Sequence, residues 1–151
     1  MNKLIAAAAG ALSLAFALPA MAQDEARPYD NGAVWDVSYI TTKPGHFDDY
    51  MKYLAGPWRD QQEALKKTGM VLDYKVLTLT DARDGEADLM LMVEWKNMAA
   101  FDAPPSVGDQ VVKQVFGSVS AATKAGVDRE AIRHVGSDVL TRELVLKPAA
   151  K

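Results

Sequence analysis

With 151 residues, 49% of them hydrophobic and 25% charged, the chain has the composition of one soluble globular domain. Seventeen basic against 20 acidic residues give a net charge of −3, and there is no Cys. Disulfide scaffolds, Cys-ligated zinc sites and lipid anchors on a Cys are thereby excluded, and the absence of any block of like charge excludes a nucleic-acid-binding arm.

The first segment reads as an export signal. Lys3 supplies a positive start, residues 4–18 are an apolar run rich in Ala and Leu, and Ala20-Met21-Ala22 places small residues where a signal peptidase cuts. Pro19 ends the run short of the roughly 18 to 20 apolar residues that cross a bilayer. Residues 1–22 are therefore expected to be cleaved, giving a periplasmic product with no membrane contact after cleavage. Its acidic charge gives it no attraction to nucleic acid. Residues 23–32, polar and carrying Pro28 and Asp30-Asn31-Gly32, read as a flexible lead-in to a domain over residues 33–147, with 148–151 as a tail.

Val34, Trp35, Val37, Tyr39 and Ile40 mark a strand over residues 33–42, stopped by Lys43-Pro44-Gly45. Over residues 46–67, Phe47, Tyr50, Met51, Leu54, Trp58 and Leu65 recur at helical spacing, and Gly69 follows as a cap. Gly56-Pro57 must break that helix, because proline has no N–H for the Tyr53 carbonyl and its ring crowds it. Residues 70–79 and 87–95 predict two strands of a hairpin across a turn-rich link. Asn97 predicts a capped helical segment to Phe101, broken by Pro104-Pro105. Val107, Val111, Val115, Val119 and Ala122 then line one face of a further helix closed by Gly126. Residues 127–134 predict a short helical turn and 138–147 a last strand.

The order β-α-β-β-α-β predicts an α+β, ferredoxin-like domain, a four-stranded antiparallel sheet with its helices on one face. In residues 87–95, Leu89, Leu91, Val93 and Trp95 take one side and Met90 and Met92 the other, so both faces are apolar. A second copy covering the free face, a homodimer closed into an α/β barrel, is the expected partner.

Ile40-Thr41-Thr42-Lys43-Pro44-Gly45-His46-Phe47, Gly69 ahead of a strand with Tyr74, and Val93-Glu94-Trp95-Lys96-Asn97-Met98-Ala99-Ala100-Phe101 resemble the dimeric α/β-barrel superfamily, notably its antibiotic-biosynthesis-monooxygenase-like and NIPSNAP-like branches. The resemblance covers residues 34–102 and implies the fold and a dimer. The superfamily includes cofactor-independent oxygenases, haem-degrading monooxygenases, peroxidases and isomerases, so the fold decides little about chemistry. The Asn of the first strand and the Trp and His of the second helix in its haem-degrading branch have no counterparts here. Asp102-Ala103-Pro104-Pro105 stands where the oxygenase-like branch often carries a His.

The candidate residues follow from type and parity. His46, at the start of a helix whose free N–H groups disfavour imidazolium, is a candidate base, as are the strand carboxylates Asp36 and Glu94. His134, beside Arg133, reads as structural. Asp36 and Ser38 share one face of the first strand, Asp73 and Lys75 one face of the second, Glu94 ends the third, and Arg142 and Glu143 point to opposite faces of the last. They form a charge network if these positions meet on one sheet face, and otherwise solvent-facing or dimer-interface ion pairs. Ser38, Tyr39, Tyr50, Trp58, Tyr74 and Trp95 are the candidate lining of an apolar pocket. No nucleophile elbow, phosphate-binding glycine loop or metal-ligand motif occurs in the sequence, and no metal or cofactor is expected. Three functions fit: a binder of a small, largely apolar or aromatic molecule, a cofactor-independent oxygenase or isomerase, or a structural or interaction protein with a filled cavity.

Overall fold

The computed structural model describes residues 27–149. The expected export signal lies outside the described residues, and among these no helix is long and apolar enough to cross a membrane. Four strands, β1 (Tyr29–Thr42), β2 (Val71–Thr78), β3 (Leu89–Trp95) and β4 (Arg133–Leu146), form one sheet in the order β2-β3-β1-β4, with each neighbouring pair antiparallel. Helices α1 (Phe47–Tyr53) and α2 (Arg59–Lys67) connect β1 to β2, and α3 (Pro105–Phe116) and α4 (Val119–Arg129) lie between β3 and β4. The fold is α+β and ferredoxin-like.

The strand register decides which side chains meet the helices. Along the central pair, Val34, Asp36, Ser38 and Ile40 of β1 stand opposite Trp95, Val93, Leu91 and Leu89 of β3. This face carries the helices: Ile40, Leu89 and Leu91 pack with Tyr50 and Leu54, while Val71 and Val93 pack with Ala64, Leu65 and Val111. Trp58 touches both clusters. It can do so because Leu54–Trp58 is a widened turn, with Gly56 off helical geometry at φ −107° and ψ −107°, where Pro57 has no N–H to continue the ladder. The expected break is therefore present, and it places an indole over the middle of the sheet.

Several boundaries differ from the sequence reading. β1 starts at Tyr29 rather than at residue 33, because Tyr29, Asp30 and Asn31 pair with Leu146, Val145 and Leu144, and a register shift between Asn31 and Val34 accommodates Gly32. The last four residues of the expected lead-in thus belong to the sheet. Asn97 is extended and its side chain caps nothing; the segment after it, Met98–Asp102, is a short 3₁₀ turn. Pro105 opens α3 at its first position, where a missing N–H is harmless. The single valine-lined helix is two, divided at Gly117, whose φ of +81° is left-handed. Ser118 then caps α4 by accepting the Ala121 N–H at 3.0 Å. Gly126 lies inside α4 instead of closing it, and β4 begins at Arg133, five residues before the expected strand.

Candidate functional site

Between the sheet and helices α2 and α3 lies a cleft of about 380 Å³. Asp36, Ser38, Leu91, Val93 and Trp95 form its floor, Trp58, Gln62 and Leu65 one wall, and Pro105, Gly108 and Val111 the other. Ala103-Pro104-Pro105, which leads into α3, borders the cleft, and Gly108 lines it without a side chain. A Cβ built on Gly108 would meet nothing within 4 Å.

A second compartment of about 190 Å³ shares Ser38, Trp58 and Leu91 with the cleft. Its other walls are Tyr50, Tyr53, Arg129, Arg133 and Asp138. Asp138 stands opposite Ser38 on the neighbouring strand, which sets two carboxyls, Asp36 and Asp138, along one run of the sheet.

Three features give this space chemistry. Burial, and next the charge of Asp138, hold the Asp36 carboxyl above the ordinary aspartate range. Its carboxylate is thus a stronger base than an exposed one, and its acid form persists to higher pH. Gln62 is 5% exposed and its Oε1 has no partner; the Trp95 Nε1 is likewise buried and unpartnered. One is an acceptor in the wall and the other a donor in the floor, so the cleft is bordered by one unpaired atom of each kind. Finally, burial pushes the Tyr50 phenol up to about 12, only partly offset by Arg133, and raises that of Tyr53 as well. Both hydroxyls remain protonated donors at neutral pH.

The expected site residues divide between the two faces of the sheet. Asp36, Ser38, Tyr50, Trp58 and Trp95 line the cleft or its side compartment. Tyr74 stands behind them: its ring meets Trp58 edge-on with centroids 5.3 Å apart, and its hydroxyl donates to Glu63 at 2.7 Å. Tyr39 is on the opposite face, paired with Met90. Glu94 is on that face too, paired with Trp35. His46 is exposed on the far end of α1, with its Nδ1 3.2 Å from Asp49, away from both compartments. The strand positions that form a charge network only if they meet on one sheet face are divided between the two faces. Asp36 and Ser38 face the helices, whereas Lys75 lies over Trp35 on the other face, 5.0 Å from the ring centre, and Asp73 reaches Lys66 at 3.5 Å beside the edge strand. The cause is register: Asp73 and Lys75 stand opposite Glu94 and Met92, whereas Asp36 and Ser38 stand opposite Val93 and Leu91.

Residues missed by the sequence reading include Gln62, Arg129 and Asp138. Gln62 is a polar interruption of the apolar stripe of α2, a signal that was present. Asp138 and Arg129 carried none, because their placement depends on β4 starting early and on α4 running past Gly126.

Compared by sequence, the chain matches no family model and no curated protein. Compared by structure, it is similar to HapK from Hahella chejuensis, with TM-score 0.48 and 11% identity over 78% of this chain and 99% of that one. A dimeric ferredoxin-like protein from an uncultured marine organism has TM-score 0.47 and 8% identity over 81% of this chain and 94% of that one. Another, from Thermobifida fusca, has TM-score 0.41 and 6% identity over 78% and 94%. These likenesses lie at the level of the fold.

Proposed function

We propose that this chain is an exported homodimer that binds a small, largely apolar molecule in the cleft between sheet and helices. The observation that carries the reading is that two residues lining the cleft, Gln62 and Trp95, each hold a buried polar atom without a partner, Oε1 and Nε1. Leaving a buried polar atom unpaired costs about 1–3 kcal/mol. A ligand with a flat apolar body that carries a hydrogen-bond donor and an acceptor, such as an amide, a phenol or an enol, fits such a lining. The volume suits this, since pockets for such molecules start at roughly 300 Å³, and so do the walls of Trp58, Leu65, Leu91, Val93 and Val111. A side-chain-filled interior, the structural reading, is disfavoured by the same volume.

Titration calorimetry with 1-naphthamide tests the proposal. Saturable one-site binding is expected, weakened at least tenfold in Gly108→Leu, at a cleft position where an added Cβ meets nothing within 4 Å. No binding, or equal binding by both proteins, contradicts it.

A second reading, an isomerase or cofactor-independent oxygenase, is favoured by one observation, the raised Asp36 carboxyl in the cleft floor. A positioned base contributes roughly 10²- to 10⁴-fold. Turnover of phenolic or quinone-like compounds, followed by oxygen uptake or absorbance, is then expected to fall about a hundredfold in Asp36→Asn and to be untouched in His46→Ala and Glu94→Ala. Turnover that survives Asp36→Asn contradicts this reading.

A further inference from the structure

The side compartment has an unused cation. Arg129, at the end of α4, has Nε and Nη1 buried with no hydrogen-bond partner, and no carboxylate lies within 4.0 Å of its guanidinium among the described residues. Its guanidinium lies over the Tyr53 ring, 4.0 Å from the centroid, which holds the group beside the compartment. The neighbouring Arg133 is in a different position: its Nη1 is occupied by Glu130 at 2.6 Å. Asp138 lines the same compartment and forms no ion pair with either arginine, although it supplies an opposing charge at the wall shared with Ser38.

A desolvated guanidinium with empty N–H donors takes a carboxylate through charge-assisted hydrogen bonds. Resting on the cleft being a ligand site, we propose that the ligand is a carboxylic acid: its apolar body occupies the main cleft and its carboxylate reaches past Ser38 and Trp58 to Arg129. Ser38, Trp58 and Leu91 border both compartments, which sets the Arg129 compartment directly beside the cleft. The Tyr50 and Tyr53 hydroxyls, held in the protonated form, are further donors on the wall around the carboxylate.

The test compares 1-naphthoate with its neutral twin 1-naphthamide by titration calorimetry on the full chain. Naphthoate is expected to bind at least tenfold more tightly than naphthamide. In Arg129→Gln that preference is expected to vanish while naphthamide affinity stays within twofold, which also shows the variant folded. Arg129→Lys, which keeps the charge but not the guanidinium's set of donors, is expected to recover only part of the preference. If naphthamide binds as well as naphthoate to the native protein, or Arg129→Gln weakens both equally, the carboxylate assignment is wrong and the cleft reading stands. If neither compound binds, both fall.

Discussion

The Asp36 carboxyl sits in the cleft floor with its proton held more tightly than in the unfolded chain, because of burial and then Asp138. As pH rises through the ordinary aspartate range the unfolded chain releases this proton first, so folding loses stability across the window up to the raised folded value and does not regain it above. Asp36→Asn is therefore expected to be the more stable protein in urea at about pH 7, with the difference closing at about pH 3, below the ordinary aspartate value. A difference that persists at the lower pH contradicts this origin. Tyr50 gives a parallel expectation: in an absorbance titration of the folded protein the last phenol ionises near 12, and Tyr50→Phe removes that phase. At this scale the sequence was a good guide where residue type and strand parity sufficed. Asp36 and Ser38 share a face as parity required, and Trp58 follows from the proline break. Parity alone does not say which face of β2 lies beside which face of β1, and the register sets Lys75 and Glu94 on the face opposite Asp36 and Ser38. His46 was singled out for its chemistry alone, and nothing in its surroundings brings it to a cavity.

Gly117 and Gly108 show how a helix boundary shapes the cleft. Gly117 turns the chain through a left-handed φ between α3 and α4, so Gly117→Ala is expected to destabilise by about 1 kcal/mol in denaturant melts. Gly108, inside α3 with open space around it, has no such need. Gly108→Ala is expected to stabilise by up to about 1 kcal/mol. The four strands, the hairpin and the break in the first helix were legible because strand alternation, turn residues and proline act locally. The division of α3 from α4, the run of α4 past Gly126 and the early start of β4 were not. A glycine tolerated inside a helix and one ending it look alike in sequence, and the first residues of β4 are held by pairing with Ile40, Thr41 and Thr42, a long-range contact with no local mark.

At the scale of the whole molecule, the sheet has one face under helices and one that no other described element covers. On the second face Trp35, Tyr39, Met90 and Met92 are half-buried, while Leu77 and Val139 are each 43% exposed. Burying several hundred Å² of it at about 25 cal/mol per Å² yields on the order of 10 kcal/mol gross, enough to hold a dimer against the cost of association. Met92→Lys, which puts a charge in the middle of that face, is expected to convert a dimer to a monomer in sedimentation velocity; a native chain that sediments as a monomer contradicts the dimer. The ligand reading is more exposed to a direct test, because the three tryptophans are distributed so as to report on it: Trp58 and Trp95 line the cleft and Trp35 lies on the opposite face. In a ¹⁵N-labelled sample titrated with 1-naphthamide, the indole N–H resonance of Trp95 is expected to shift saturably as its empty donor finds a partner, while that of Trp35 stays in place. A Trp95 resonance that does not move, or a Trp35 resonance that moves in its stead, contradicts the account.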